Sequence, residues 1–219
     1  MKPYLQQIGR FLLLLLAIQI VRALIITGLW RLLHPAPDSP IWAYMDIIAF
    51  GMIGISLLLW FRPSREQLAL DWRTAPRWEL AVYITMGVLT VGLVISTYFL
   101  QPDLFVENIT SAIVISIFEE FLFRGWGWDQ LKSSAPSRSL GFRNWLVISF
   151  LFGLWHFGYI DVYLLKVAPL NPNLDWGIFF AMKFLTTFII GLVVGLPRWR
   201  TGRLYGSLIL HSLINVFGR

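Results

Sequence analysis

There is no cysteine anywhere in this 219-residue chain. Disulfides, thiolate nucleophiles and Cys-ligated metals are therefore excluded at the outset. Charge is scarce too. Asp, Glu, Lys and Arg make up 14% of the residues, where soluble domains carry about a quarter. Acidic residues are the scarcer sign, 12 against 18 basic ones, for a net charge of +6. A basic chain can bind nucleic acid, but these basic residues sit in short loops between apolar runs. That is the positive-inside pattern of membrane proteins, and no nucleic-acid partner is expected. Histidine occurs only three times, so the placement of each one is informative. Internal repeats and low-complexity tracts are absent.

What remains is apolar: 57% of the residues are hydrophobic and the mean hydropathy is +0.68. The expectation is an all-α polytopic transmembrane bundle of about seven or eight helices. Phe11–Leu33 is the first apolar run. It is too long for the apolar core of a signal peptide, no A-x-A-like site follows it, and it reads as a retained span. Arg22 interrupts it and is read as a buried structural charge that meets another helix. His34–Pro40 carries three prolines and reads as a turn, with His34 a solvated loop residue. Ile41–Phe61 is the second span. In Arg62–Glu79, Ser64 is placed to cap a short interfacial helix through Asp71, with Trp72 and Trp78 at headgroup level. Leu80–Leu100 is the third span and Gln101–Glu107 an acidic turn.

Asn108–Trp128 is the fourth span, Asp129–Arg143 a polar basic loop and Asn144–Ile160 the fifth span. Asp161–Asp175 reads as a loop, with Pro169 and Asn171-Pro172-Asn173 as turn signals. Trp176–Leu196 is the sixth span, with Lys183 inside it, and Pro197–Arg203 a basic turn. Leu204–Phe217 is short for a full crossing and suits a helix packed within the bundle. The loops are too short to be domains. Residues 1–219 are expected to form one integral membrane domain, with three spans in 1–103 and the chemistry-bearing helices in 104–219.

The loop charges orient the chain. With a cytoplasmic N-terminus, the inner segments hold Lys2, Arg10, Arg62, Arg65, Arg73, Arg77, Lys132, Arg138, Arg143, Arg198, Arg200 and Arg203. The outer segments hold only Arg31, Lys166 and Arg219. That asymmetry predicts an N-terminus inside and, after seven crossings, a C-terminus outside.

Within this apolar chain, Ile117–Trp128 reads I-F-E-E-F-L-F-R-G-W-G-W. An ionised group at bilayer depth costs at least a few kcal/mol and is a functional-site candidate by default. Glu120 and Arg124 are one helical turn apart and can pair. Glu119 lies about 100° further round the helix and is left to face something else. Helix five carries Phe152 and His156 one turn apart. The last segment carries Ser207, His211 and Asn215 at the same spacing, with Ser116 and Ser207 read as packing residues. Depth brings the three sets together. At 1.5 Å per residue, His156 lies roughly 18 Å in from the cytoplasmic side and His211 and Asn215 roughly 10 to 16 Å. Glu119 lies about 16 Å below the outer surface by the same rise. In a core of about 30 Å these positions meet near the middle.

A carboxylate, two imidazoles and an amide in a dry site form a hydrolytic constellation. Glu119 is the group suited to take a proton from water. His156 can hold the same water or protonate a leaving amine. His211 and Asn215 can donate to a developing oxyanion.

The three patterns Glu119-Glu120-x-x-x-Arg124, Phe152-x-x-x-His156 and His211-x-x-x-Asn215 resemble the motifs of the CPBP family of intramembrane proteases. That family includes the type II CAAX prenyl endopeptidases and the Abi-type bacteriocin-processing or immunity proteins. The resemblance covers roughly Asn108 to the C-terminus. It implies a helical bundle with a membrane-facing catalytic cavity, in which Glu119 with His156 activates water and His211 with Asn215 stabilises the oxyanion. Glu120 and Arg124 are then supporting residues, together with Phe152 of the second motif.

The family usually carries the label metalloprotease. Here there is no H-E-x-x-H helix. Glu119, His156 and His211 would supply a zinc site of two His and one carboxylate, but the same Glu could not then easily serve as the free base. Water activation without a metal is the favoured reading, so zinc stays an open alternative and no cofactor is firmly expected. The expected partners are membrane lipid and a membrane-associated peptide or protein substrate. The expected location is a bacterial cytoplasmic membrane. A non-catalytic membrane scaffold or immunity protein would keep the fold without the chemistry. A proton-coupled transporter could also use a midplane Glu and His, but the internal repeat expected of such folds is missing.

Overall fold

The computed structural model describes residues 2–71, 75–132 and 138–217. Among these the chain is helical and contains no strand. Seven helical rods follow one another. Helix α1 is Lys2–Leu33, α2 is Ile41–Phe61 and α3 is Arg77–Leu100. Helix α4 runs unbroken through residues 102–132 and α5 through 138–170. Helix α6 is Trp176–Thr201 and α7 is Tyr205–Phe217. Five of them (α1, α2, α3, α6 and the Gly141–Leu170 part of α5) are long and apolar enough to cross a membrane. Helix α4 is long enough but carries Glu107, Glu119, Glu120, Arg124 and Asp129. Helix α7 has 13 residues, about 20 Å at 1.5 Å per residue, and falls short of the hydrocarbon thickness.

Local chemistry explains where the rods start and stop. His34 and Arg62 take left-handed φ values of 44° just past α1 and α2. The Arg62 N–H closes the end of α2 onto the Leu58 carbonyl at 3.0 Å. The Asp175 side chain accepts from the Ile178 N–H at 3.0 Å and caps α6. Gly202, at φ 74°, ends α6 in the left-handed conformation that glycine adopts without strain.

Asp129–Arg143, read as a loop, is helical at 129–132 and again at 138–143 among the described residues, and four further segments differ from the sequence expectation. Ser64–Asp71 is a set of turns and forms no eighth helix among the described residues. Ser64 and Gln67 do bond each other's backbone N–H groups, at 2.8 and 3.2 Å, as a helix start would. The chain then leaves the helical path at Ala69, whose φ is 53°. Trp72 lies outside the described residues, and Trp78 is exposed in the first turn of α3. The second difference is Gln101–Glu107, helical from Pro102 because proline at the first position has a preset φ and needs no N–H partner. Third, the helix continues through Asp161 to Leu170, since Arg22 pairs with Asp161 and Lys166 lies 3.7 Å from Glu107. Fourth, α6 passes through Pro197 to Thr201.

Helices α1, α2, α4 and α5 share the main core, in which Phe11, Phe50, Phe123, Phe152 and Trp155 are buried. The outward faces of α1, α2 and α3 carry exposed Leu13, Leu24, Leu59, Val88 and Phe99, as lipid-facing surfaces do. Helices α5 and α6 pack backbone to backbone. A Cβ at Gly191 would lie 3.1 Å from the Ser149 carbonyl oxygen, and one at Gly195 would lie 2.9 Å from Trp145. This is the small-residue packing that brings membrane helices close.

Candidate active site

Helix α4 is not a uniform α-helix. Ser116–Glu120 is a five-residue α segment between two π segments, Thr110–Ile115 and Phe121–Gly127. A π turn adds a residue to the winding, re-aims the side chains that follow and is frequent at functional sites. Here the wider turns flank the two glutamates. The Ser116 hydroxyl closes one of them by donating to the Ser111 carbonyl at 2.9 Å.

Glu119 and Glu120 are both buried, at 2% and 0% exposure, and the difference in their surroundings decides their chemistry. Oε1 of Glu120 accepts from Arg124 at 2.9 Å and from His211 Nδ1 at 2.9 Å. The Arg124 guanidinium also donates to the Gly191 carbonyl on α6 at 3.0 Å, and it lies 4.4 Å from the Phe152 ring centroid. Glu120 is thus the centre of an interhelical tie joining α4, α6 and α7. Glu119 meets no cation so directly. Its Oε1 accepts from the Trp155 indole N–H at 2.7 Å and the Tyr159 hydroxyl at 3.1 Å, both on α5. Its Oε2 faces His211 Nε2 at 3.7 Å, too long for a direct hydrogen bond and close enough for electrostatic contact.

The imidazoles have settled tautomers where their partners can only accept. His156 Nδ1 lies 2.8 Å from the Phe152 carbonyl, so it carries a proton, and in the neutral form of the ring Nε2 keeps its lone pair. The ring stacks on Tyr159 with centroids 5.7 Å apart and meets the edge of Phe152 at 4.8 Å. Phe152 meets His211 as well, at 5.6 Å, so one phenyl ring spaces the two imidazoles. His211 Nδ1 faces an Arg-paired carboxylate and is therefore a donor, which leaves Nε2 turned toward Glu119.

Asn215 stands one turn beyond His211. Its amide nitrogen donates to the Ser111 carbonyl and the Ser116 hydroxyl, each at 3.0 Å. Both amide hydrogens are committed to holding α7 against α4, and an oxyanion role would require one of those bonds to be given up. All seven residues singled out from sequence lie in one cluster. Four neighbours have no place in the three motifs: Trp155, Tyr159, Gln19 and Arg22. Tyr159 follows His156 by one helical step of three, a signal that the sequence does carry.

A zinc ion held by Glu119, His156 and His211 can be tested against this arrangement. Glu119 Oε1 is occupied by two donors, and both imidazoles use Nδ1 on protein acceptors, as zinc-ligating histidines do, which leaves the two Nε2 atoms and Glu119 Oε2 as the only atoms that could ligate. Among the described residues no group of three His, Asp or Glu side chains converges closely enough to hold a metal. The donor set as arranged does not fit the ion.

A separate apolar groove of about 290 Å³ opens between α2 and α4. Gly51 and Gly54 floor it on one side and Ile113, Ile117 and Phe121 on the other. Phe118 divides it from the polar cluster, lining the groove while its ring lies 6.3 Å from that of Trp155.

A family model described as type II CAAX prenyl endopeptidase Rce1-like matches residues 101–217, more than half of the chain. The match begins one residue before α4 and ends with α7, so it takes in every motif residue and leaves out α1 to α3. No curated protein and no solved structure matches the chain.

Proposed function

The chain belongs to the type II CAAX prenyl endopeptidase Rce1-like family, a family of membrane proteases, and from that premise we propose that it cleaves peptide bonds by a water molecule activated at Glu119. As a member it is a hydrolase that works at the membrane on a peptide or protein substrate.

One observation supports the roles above the others: the two adjacent glutamates are divided between structure and chemistry. Oε1 of Glu120 is held by both Arg124 and His211 and its Oε2 is sealed in the core, while Glu119 is fixed on one oxygen by Trp155 and Tyr159 and turns the other toward His211. A carboxylate so oriented can take a proton from water as the water oxygen adds to the scissile carbonyl carbon. The tetrahedral oxyanion receives a hydrogen bond from His211 when Nε2 is protonated, with Asn215 keeping α7 in register behind it. Collapse breaks the C–N bond, and the proton taken from water leaves on the amine, delivered by Glu119 or through His156. No step passes through a metal. The apolar groove beside Phe118 suits a substrate that arrives from the lipid. In a bacterial cytoplasmic membrane, with the N-terminus inside, that substrate is a small membrane or secreted peptide.

The test uses purified protein in liposomes with two reporter peptides, one ending in a prenylated CAAX sequence and one anchored by an unprenylated apolar segment. Wild-type protein cleaves at least one of them. Glu119→Gln and His156→Ala abolish cleavage while leaving insertion and thermal unfolding in detergent unchanged. Full activity in either variant refutes the mechanism, and failure of the wild-type protein to cleave either peptide leaves a partner-binding role for the fold.

A further inference from the structure

The side chain of Arg22 is completely buried near the middle of α1, a helix that the family match does not reach. It makes an ion pair with Asp161 on α5, donates to the Gly158 carbonyl at 2.9 Å and to Gln19 Oε1 at 2.7 Å, and lies 4.4 Å from the Tyr159 ring centroid. Gln19 in turn donates to the Trp155 carbonyl at 2.9 Å. Apart from the Arg22–Gln19 bond within α1, these contacts fall on or beside one short stretch of α5. His156–Tyr159 is a 3₁₀ turn between two α segments, and it carries both the His156 imidazole and the Tyr159 hydroxyl that fixes Glu119.

A 3₁₀ turn has poorer hydrogen-bond geometry than the α-helix around it and marks a site of strain or function. In lipid each unsatisfied carbonyl costs several kcal/mol, so such a turn persists only where other donors reach it. Here they come from Gln19 to Trp155, from the Tyr163 hydroxyl to His156 at 3.0 Å, and from Arg22 to Gly158. The fit is close. A Cβ on Gly158 would collide with the Gln19 side chain. An uncompensated Arg in the membrane interior would be costly, and its partner Asp161 is only two residues beyond the turn.

We infer that Gln19 and Arg22 are positioning residues for the hydrolytic site, holding the 3₁₀ turn of α5 in the conformation that points the Tyr159 hydroxyl at Glu119 and stacks the His156 ring against Tyr159. This inference rests on the proposed role of Glu119. It adds a contribution from the N-terminal half of the chain, acting through α5 without contact to the reacting atoms.

The test compares Arg22→Met, Gln19→Leu, Tyr159→Phe and the double variant Arg22→Met/Tyr159→Phe in the liposome cleavage assay. Misplacing reacting groups by about 1 Å can cost 100-fold in rate. The expected result is a fall in kcat of about 10- to 100-fold for Arg22→Met and Gln19→Leu, with KM changed by less than about two-fold. The double variant is expected to be no slower than the slower single one, because both changes release the same turn. Arg22→Lys, which keeps the charge facing Asp161, recovers part of the lost kcat. Gln19→Leu leaves the ion pair intact and decides the matter if Arg22→Met does not fold. Wild-type kcat in folded Gln19→Leu, a change confined to KM, or fully multiplicative losses in the double variant would overturn the inference. Glu119→Gln, run alongside, separates the two ideas. An active Glu119→Gln defeats the hydrolytic mechanism, whereas an inactive one beside fully active Gln19→Leu and Arg22→Met defeats only the role of α1.

Discussion

Glu119 and Glu120 differ by one position in the chain and by everything in their surroundings. An ion pair that loses one buried partner costs about 3–5 kcal/mol, because the other charge is stranded. Glu120→Ala strands Arg124 and also removes the acceptor of His211 Nδ1. The expected outcome is a protein that fails to reach a stable fold, with a thermal transition in detergent lowered or lost. Glu119→Ala removes an acceptor from two neutral donors and strands no arginine. It is expected to fold, and the contrast between the two variants in one unfolding series checks the division of labour. Trp155→Phe belongs to the same scale. It deletes one of two bonds to Glu119 Oε1 while keeping an aromatic ring in the core. A hydrogen bond to a charged group contributes about 1.5–3 kcal/mol. If Glu119 works as a carboxylate, kcat should fall about 10-fold or more, measured as single-turnover cleavage at saturating substrate. The i,i+4 spacing makes the Glu120–Arg124 pair legible in the sequence, because the helical period alone places the two residues together. Nothing in the same sequence shows that Trp155 bonds Glu119, since that contact depends on how α5 is rotated against α4.

Helix boundaries were least legible where polar residues are neutralised by partners distant in sequence. Asp161 and Lys166 look like loop residues because a lone charge belongs in water. The helix runs through them because α1 and α4 supply the countercharges. The π segments of α4 have no sequence signature either, although the charges between them mark the place. Close approach of α5 and α6 went unread, although Gly191 and Gly195 are spaced by four on one face. Gly191 has two duties: it admits α5, and its carbonyl accepts from Arg124. Gly191→Leu should push the helices apart at Ser149 and loosen the Arg124 tie. Overpacking of this kind costs about 1–3 kcal/mol. The expected reading is a lower thermal transition together with loss of cleavage, while Gly51→Leu, at a position with open space around its Cβ, should leave the transition unchanged.

At the scale of the whole molecule, what the sequence makes legible comes from two simple physical rules. Long apolar runs between basic loops make a membrane bundle, and three polar faces at one depth must meet, because no other place in lipid will hold them. The contribution of α1 stays hidden, because a single arginine in an apolar run does not say which helix it meets. The same composition supplies a clean test of orientation. The chain has no cysteine, so one introduced thiol is the only site for a maleimide. Asp38 is exposed in the turn between α1 and α2, and Arg65 is exposed in the turns after α2. If the basic loops lie in the cytoplasm, as charge asymmetry requires, Asp38→Cys in intact cells reacts with a membrane-impermeant maleimide. Arg65→Cys reacts only after the cells are opened. That orientation puts the Asn144 end of α5 and the Leu204 end of α7 on the cytoplasmic side, and Oε2 of Glu119 between the two faces. The opposite labelling pattern would invert the bundle. A substrate would then have to present its scissile bond from the other leaflet, while the geometry around Glu119 would stand unchanged.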